Sequence, residues 1–421
     1  MLEMKVFREN SKVIFDDLKK RNIPDDGAKS VIQMDQKWRE LIDEGNKLRS
    51  QRNSISRSIG ELKKKGKDGG SLLDEMGHIK KRLSENESET KNALILREKA
   101  RMKVPNILDN DVPTGRNEED NQELTTHGPK KKSKTAKSHQ EIMEIIGGAD
   151  LKRAANISGR RFYFLTGDLA RLEMALINYA IDVLCEKGYS LTIPPFMMNR
   201  EAYEGVVDLN DFEDVMYKIE DHDLYLIATS EHPMTSRFKN EIIEIKDEPL
   251  RYAGISTNFR KEVGAHGMSD RGIWRVHQFA KVEQVVICKP DDSQKLHDEL
   301  VTNAKHIFEG LEIPFRIVDI CTGDIGTVAA RKFDLEAWMP ASQQWKEVVS
   351  ASNCRTYQSV RLNMRYRTPE GTEFPHTLNA TAIATTRALA SILENHQQAD
   401  GSVAIPKVLQ KWMGQELILA K

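Results

Sequence analysis

The sequence predicts an α+β fold in which a long antiparallel helical hairpin precedes a mostly antiparallel β-sheet with flanking helices. Near the N terminus, apolar residues repeat on a strict 3-4 spacing, which indicates long paired helices. Later, the strand-like runs 224–228, 253–259, 282–288 and 315–320 include several separated by short loops, which favours antiparallel pairing. Neither GxGxxG nor GxxxxGKS/T occurs, which excludes a Rossmann dinucleotide site and a P-loop.

Composition and cysteine spacing narrow the class of protein. Of the 421 residues, 30% are charged and 6% are aromatic, which is typical of soluble, helix-rich chains. No uncharged apolar stretch approaches the ~18 residues that span a bilayer, so we expect no membrane segment. Glu3 lies where a targeting peptide would carry only basic residues, so we expect a cytoplasmic protein. Without CxxC spacing, four cysteines are expected to be reduced and buried: Cys185, Cys288, Cys321 and Cys354.

The charge is distributed unevenly along the chain. Residues 31–104 contain 18 Lys/Arg and 12 Asp/Glu, a net charge of +6, whereas the whole chain carries −1. A basic segment on an otherwise acidic chain is the usual feature of an arm that binds a polyanion. A solvated helical face is the alternative, and charge alone does not decide between them.

The hairpin prediction rests on residues 28–104. Gly45 and Arg52 are the only interruptions of the first seam, and a glycine-rich turn at residues 63–70 separates it from a second helix that starts at Ser71. The second seam fades beyond Asn86. Periodicity does not exclude a homodimeric coiled coil in place of the hairpin. The seam residues are Val31, Met34, Trp38, Leu41, Leu48, Ile55, Ile59 and Leu62, followed by Leu72, Met76, Ile79 and Leu83.

A polar linker is predicted after the hairpin. Pro105 ends the second helix, and residues 109–138 contain hardly any apolar side chains, so much of this stretch is expected to be poorly ordered. The basic run 130–134 could contact RNA, or it could be a solvated loop. The predicted organisation is an N-terminal domain 1–108, a linker 109–140 and a C-terminal domain 141–421.

A strand, a glycine-rich turn and a return strand are predicted between residues 259 and 283. Residues two apart on a strand share a face, so Arg260 and Glu262 would point together, and Arg275, His277 and Phe279 would share the facing strand. A guanidinium suits a phosphate, a carboxylate suits an exocyclic amine, and an aromatic ring supplies a stacking surface. These groups would suit ATP, although a surface ion pair is the alternative reading of Arg260 and Glu262.

The C-terminal helix carries a second candidate arginine. Residues 378–395 run from a small-residue turn into a helix that is apolar almost throughout, with Arg387 in its first turns. Because an unpaired buried arginine is costly, Arg387 must meet a carboxylate or a ligand phosphate. Earlier, residues 171–195 predict a long amphipathic helix and a strand that ends at Pro194 and Pro195.

These three segments, in this order, resemble the signature motifs of class II aminoacyl-tRNA synthetases. In detail the chain is similar to the seryl-tRNA synthetase family, including its helical arm of about 75 residues. The loop sequence VGAHG at 263–267 and the segment NAT at 379–381 look closer to the archaeal and eukaryotic cytosolic branch of the family than to its bacterial branch. The matching stretches are RFYF at 161–164, ATSEH at 228–232, RVHQFAKVEQ at 275–284, FDLEAWMP at 333–340, EVVSASNC at 347–354, and Glu394-Asn395.

The resemblance implies a role for each matching residue. Arg260 would bridge the ATP α-phosphate and the serine carboxylate, Glu262 would accept from the adenine amine, and Phe279 and Arg387 would enclose the adenine. Arg260 and Arg387 are the implied catalytic residues. The implied ATP-binding set is Arg260, Lys261, Glu262, Arg275, Val276, His277, Gln278, Phe279, Glu347, Val348, Val349, Ser350 and Arg387. The implied serine-binding set is Thr229, Ser230, Glu231, Arg260, Glu283, Asn379 and Thr381, with Mg²⁺ at Glu347 and Ser350.

The resemblance implies the activity of a serine–tRNA ligase that uses ATP and forms seryl-adenylate as an intermediate. It also implies that the basic arm binds tRNA-Ser and that the protein is a homodimer. Two departures from the family concern the transfer step: the loop reads Met268-Ser269-Asp270 where Arg-Asp-Thr is usual, and Ala280 replaces a commonly acidic residue. The alternatives are a paralogue with a non-tRNA acceptor, a non-catalytic tRNA-binding protein, and a coiled-coil scaffold.

Overall fold

A computed structural model describes residues 1–130, 135–209, 213–263 and 272–421 of the chain. These residues form two compact units, Met1–Ile107 and Leu108–Lys421. The loop residues Met268, Ser269 and Asp270, and most of the basic run 130–134, lie outside the described residues. None of the described helices is both long and apolar enough to cross a bilayer.

The first unit is helical, whereas the second mixes helices with strands. The helices are α1 (Met4–Glu9), α2 (Ser11–Lys20), α3 (Asp26–Lys64), α4 (Gly70–Met102), α5 (His139–Ile146), α6 (Leu151–Ser158), α7 (Asp168–Glu186), α8 (Arg200–Glu204), α9 (Glu231–Ser236), α10 (Ser293–Gly310), α11 (Tyr357–Arg361), α12 (Thr385–His396) and α13 (Gln410–Met413). The strands are β1 (Gln122–His127), β2 (Ala149–Asp150), β3 (Phe164–Leu165), β4 (Ser190–Thr192), β5 (Met197–Met198), β6 (Tyr225–Leu226), β7 (Ile242–Ile243), β8 (Leu250–Phe259), β9 (Gln278–Cys288), β10 (Phe315–Asp319), β11 (Arg331–Met339), β12 (Gln344–Asn353), β13 (Arg365–Thr368), β14 (Gly371–Glu373), β15 (His376–Ala384), β16 (Val403–Ala404) and β17 (Leu417–Ile418).

Helices α3 and α4 pair within one chain, which confirms the predicted hairpin. Its buried apolar residues include Leu41 and Ile59 of α3 and Ile79 and Leu83 of α4. The seam also contains polar contacts, including a buried ion pair between Asp35 of α3 and Arg97 of α4 at 2.8 Å. The Asn86 side chain is buried, and its Nδ2 donates to the carbonyl oxygen of Leu41 at 3.0 Å. A single buried Asn of this kind fixes the register of two paired helices.

Gly45 makes room for Asn86, and this contact carries a prediction. A Cβ added at Gly45 would lie 2.6 Å from Asn86 Oδ1, whereas one added at Gly77 of α4 would meet nothing within 4 Å. Gly77→Ala should therefore stabilise the hairpin by about 1 kcal/mol through helix propensity. Gly45→Ala should instead destabilise it by about 1–3 kcal/mol through overpacking. Amide hydrogen exchange of α3 in the full chain measures the stability of the hairpin in both variants. Equal protection in the two variants would show that the close approach of Gly45 and Asn86 does not matter for stability.

The second unit is built on an eight-stranded sheet with the order β1-β10-β11-β12-β15-β9-β8-β4. Neighbouring strands are antiparallel except β4 and β8, which are parallel, so the predicted α+β fold is confirmed. Helices α7, α10 and α12 pack against the sheet and share its apolar core. The predicted run 224–228 is shorter in the structure, where β6 covers Tyr225–Leu226.

Two expectations about local structure were wrong. The predicted poorly ordered stretch contains β1, which pairs with β10 at the edge of the sheet. Most side chains of β1 are exposed, so its composition resembles a linker while its backbone gains hydrogen bonds from a partner distant in sequence. Cys185, near the end of α7, is exposed, whereas the other three cysteines are buried.

Candidate active site

A cavity of about 390 Å³ opens on one face of the large sheet. A volume of this size suits a small-molecule ligand. Strands β9, β11, β12 and β15 and helices α9 and α12 contribute to its wall. The lining residues are Thr229, Glu231, His232, Arg260, Glu262, Trp274, Val276, Phe279, Lys281, Glu283, Lys332, Glu347, Val348, Ser350, Ser352, Asn379, Thr381, Ala384, Thr386 and Arg387.

One end of the cavity holds two carboxylates, of Glu231 and Glu283. Thr381 Oγ1 donates to Glu283 Oε2 at 3.4 Å, and Gln358 Nε2 donates to Glu231 Oε1 at 3.0 Å. Burial raises the pKa of Glu231 to about 7, and the neighbouring charge of Glu283 adds to this shift. Carboxylates in such a small space can accept hydrogen bonds from an ammonium group and from a hydroxyl group.

The other end carries two guanidinium groups beside aromatic rings. Phe279 and Glu283 are four residues apart on β9, which corresponds to about 13 Å. The Arg260 Cζ atom lies 5.3 Å from the centroid of the Phe279 ring. The Arg387 Cζ atom lies 5.8 Å from the centroid of the Trp274 ring. Guanidinium groups in this setting suit both phosphates and flat aromatic ligands.

Glu347 is the carboxylate that Arg387 was expected to meet. Arg387 Nη1 lies 3.2 Å from Glu347 Oε1 and donates to the Glu347 carbonyl oxygen at 2.9 Å. The Arg387 side chain is 21% exposed, so it is only partly buried. Desolvation by the surrounding protein opposes the charge of Glu347, but Arg387, Lys332 and Arg260 outweigh it and lower the pKa of Glu347. Glu347 therefore remains ionised in the cavity.

A bulge in β12 brings Glu347 onto the same face as Ser350 and Ser352. Leu335 pairs with Val349 and Glu336 with Glu347, so Val348 is an extra residue between two register positions. In a regular strand, Glu347 and Ser350 would point to opposite faces. A second bulge after Thr381 in β15 turns Ala384 toward the cavity in the same way.

The turn after β8 is held by contacts that position Arg260. The Arg260 amide donates to the His277 carbonyl oxygen at 2.9 Å, and His277 Nδ1 lies 2.9 Å from the Arg260 carbonyl oxygen. Arg161 Nη1 donates to the carbonyl oxygen of Glu262 at 2.8 Å, at a residue with a positive φ of 50°. This local conformation directs both Arg260 and Glu262 into the cavity.

Six residues assigned by resemblance do not line the cavity. The expectation that Arg275, His277 and Phe279 share one strand face was wrong, because β9 begins at Gln278 and the irregular segment before it presents Trp274 and Val276 instead. Ser230 is buried, and its hydroxyl donates to the Gly254 carbonyl oxygen at 3.1 Å. The six residues are Ser230, Lys261, Arg275, His277, Gln278 and Val349.

Several lining residues had no assigned role in the sequence analysis. Lys281 could have been found, because it alternates with Phe279 and Glu283 on one strand. Trp274 could not, because its orientation depends on an irregular segment. The unassigned polar or aromatic residues are His232, Trp274, Lys281, Lys332, Ser352 and Thr386.

Comparison with known proteins decides the family. The family model described as "Seryl-tRNA synthetase N-terminal domain" matches residues 1–108, and "tRNA synthetase class II core domain (G, H, P, S and T)" matches residues 215–396. The chain is 51% identical to the serine–tRNA ligase of Methanospirillum hungatei, with 100% of both chains covered. The chain belongs to the seryl-tRNA synthetase family. Its activity is that of an ATP-dependent aminoacyl-tRNA synthetase, the ligation of serine to tRNA.

Solved structures of seryl-tRNA synthetases agree with this assignment. The Pyrococcus horikoshii enzyme complexed with ATP superposes with a TM-score of 0.96 at 43% identity, covering 100% of both chains. The cytoplasmic enzyme of Naegleria fowleri in complex with AMP superposes with a TM-score of 0.91 at 34% identity, covering 100% of this chain and 99% of that chain. The predicted resemblance to the seryl-tRNA synthetase family is confirmed over the whole chain.

Proposed function

We propose that the cavity activates L-serine with ATP and that the product, seryl-adenylate, donates serine to the 3′ end of tRNA-Ser. The observation that carries this proposal is the division of one cavity into two chemically different ends. The carboxylates of Glu231 and Glu283 suit the ammonium and hydroxyl groups of serine. The guanidinium groups and aromatic rings suit the phosphates and base of ATP. Arg260 lines the same cavity and its charge acts on both Glu283 and Glu347, which supports its proposed role in contacting both ligands.

The first step needs no protein nucleophile. An oxygen of the serine carboxylate attacks the α-phosphorus of ATP, a P–O bond to the β-phosphate breaks, and pyrophosphate leaves. Arg260 holds the attacking carboxylate and the α-phosphate together, and Arg387 stabilises charge on the phosphates. Catalysis then consists of orientation and electrostatic stabilisation. In the second step the tRNA 3′-terminal hydroxyl attacks the carbonyl carbon of serine, and AMP leaves.

Glu347 and Ser350 fit the proposed Mg²⁺ site. An ionised carboxylate and a hydroxyl lie on the same strand face, and both are oxygen donors that Mg²⁺ prefers. No cluster of three or more His, Cys, Asp or Glu ligands occurs in the described part of the chain. This fits a metal that binds substrate phosphates together with few protein ligands. When bound, Mg²⁺ would neutralise phosphate charge.

The pKa of Glu231 predicts how activation of serine depends on pH. In the free protein this carboxyl is protonated below about pH 7 and cannot then balance the serine ammonium. We expect kcat/KM for serine to fall about tenfold per pH unit below that value. Serine-dependent ATP–pyrophosphate exchange between about pH 5.5 and 8.5 measures this. Glu231→Gln should have lower activity and should lack the acid limb. A wild-type profile that stays flat at low pH would contradict the assignment.

The basic hairpin is the proposed tRNA-binding element, in an N-terminal domain of about residues 1–108. Its net charge of +6 over residues 31–104 suits an RNA backbone, and its length suits a protruding RNA arm. We also propose a cytoplasmic homodimer. Support for the dimer comes from apolar side chains that are exposed on α7, on edge strand β4 and just after it, namely Met174, Leu191 and Ile193.

Exchange and charging assays test the proposal together. The expected result is serine-dependent ATP–pyrophosphate exchange and serylation of tRNA-Ser by the purified protein. Exchange without charging of tRNA would favour a paralogue with another acceptor, or an effect of the loop 268–270. Absence of exchange with every amino acid would refute the proposal and favour a tRNA-binding protein without catalysis.

A further inference from the structure

Lys281 lies between the two ends of the cavity and has no part in the mechanism above. It alternates with Phe279 and Glu283 on β9, so all three face the cavity. Its side chain is 7% exposed and pairs with Glu283 Oε2, and the Glu283 side chain is 2% exposed. A lysine is almost never buried to this extent without a specific partner.

The charges around this pair are nearly balanced. Glu231 and Glu283 bring two carboxylates into one buried space, where Lys281 and Arg260 are the cations that act on Glu231. His232, which also lines the cavity, has a pKa well below its usual range because of burial and the charges of Lys281 and Arg260, so it adds no positive charge. The charge of Lys281 lowers the pKa of Glu231, which is about 7 with the lysine in place, so removing Lys281 would raise that pKa further.

The contacts of the Glu283 carboxylate also fix its orientation. Lys281 Nζ and Thr381 Oγ1 both approach the same oxygen, Oε2. This arrangement leaves Oε1 as the acceptor for a ligand hydroxyl. An ionised carboxylate only accepts hydrogen bonds, so it pairs well with serine and is left unsatisfied by alanine.

We infer that Lys281 is a positioning residue for amino-acid selection: it balances the charge of the Glu231–Glu283 pair and orients the Glu283 carboxylate toward the serine hydroxyl. The inference rests on the proposed function, in which Glu283 binds that hydroxyl. Lys281 acts through Glu283 and makes no bond to the reacting atoms. Its removal favours a proton on the carboxylate pair at neutral pH and removes the contact that orients Glu283, so the site discriminates less against alanine.

The test compares serine and alanine in ATP–pyrophosphate exchange. In Lys281→Met, kcat/KM for serine should fall more than kcat/KM for alanine, so that the serine-to-alanine ratio narrows by about tenfold or more. In a Glu283→Gln background, the same substitution should change the ratio by less than about twofold, because its effect passes through Glu283. Lys332→Met is the matched control. Lys332 lines the same cavity, but its Nζ lies 3.9 Å from Asp334 Oδ2, so this variant should leave the ratio unchanged.

Three results would overturn the inference. Equal loss of activity with serine and alanine in Lys281→Met would show that the lysine acts on ATP or on folding. A narrowing that persists in the Glu283→Gln background would show that it does not act through Glu283. Absence of serine-dependent exchange in the wild-type protein would refute the proposed function itself. That outcome is seen without any variant, so it is distinct from a failure of the inference about Lys281. Thermal unfolding checks each variant, and Lys281→Gln replaces Lys281→Met if the latter does not fold.

Discussion

Arg260→Ala should reduce serine-dependent ATP–pyrophosphate exchange by about 10³-fold or more, because it removes the cation proposed to join the two reacting groups. The side chain lines the cavity beside Phe279, and its charge also acts on Glu231, Glu283 and Glu347. The loss should therefore affect kcat as well as the KM for serine. Arg260→Lys keeps the charge but not the planar fork, so it should restore only a small part of the activity.

Arg237→Ala provides a matched control for this experiment. Arg237 is an exposed arginine that also lies over aromatic rings, 4.9 Å from the Phe238 centroid and 5.1 Å from that of Tyr252, but it does not line the cavity. Its removal should leave exchange within about twofold of wild type, as surface substitutions usually do. Binding of tRNA-Ser should be unchanged in both variants. If Arg260→Ala retained exchange close to that of wild type, the assignment of the cavity as the adenylation site would be wrong.

The parts of the site that the sequence predicted are those that follow a regular period or a local motif. The hairpin seam and strand β9 follow a helical and a strand repeat, so their facing residues could be read from spacing, whereas Arg387 was singled out as a charge in a helix that is apolar almost throughout. Glu347 was assigned by resemblance alone. Its place beside Ser350 depends on the bulge at Val348, which strand alternation does not reveal.

Other features depend on contacts between distant segments. Trp274 faces the cavity because the chain is irregular before Gln278. Strand alternation had instead predicted that Arg275 and His277 would share the face of Phe279. Strand β1 forms because β10 offers it a sheet edge, although its own residues are polar and exposed. Asn86 was judged the point where the helical seam fades, yet it is buried against Gly45. For β1 and Asn86 the partner, and not the local sequence, determines the structure.

Shortening the hairpin should separate the two half-reactions. Joining residues 49 and 82 through a short glycine turn removes residues 50–81, which contain eight Lys/Arg and four Asp/Glu, a net charge of +4. The base of the hairpin keeps the Glu44–Arg82 ion pair at 2.7 Å and the Asn86–Leu41 hydrogen bond at 3.0 Å, so the remaining helices should still pair. We expect kcat/KM for charging of tRNA-Ser to fall about 10²-fold or more, since both phosphate contacts and reach are lost. Exchange should stay within about twofold of wild type.

A full-length variant separates the contribution of charge from that of length. Replacing Lys63, Lys64, Lys65 and Lys67 by glutamine keeps the helices but removes four positive charges near the tip of the hairpin. If these lysines contact phosphates, tRNA affinity should weaken and the slope of log K against log salt should become shallower by about 3 to 4. A weaker affinity with an unchanged slope would mean that the hairpin recognises the shape of the RNA and not its charge. Normal charging by the shortened chain would exclude the hairpin as the tRNA-binding element, because that chain lacks both the basic tip and its reach.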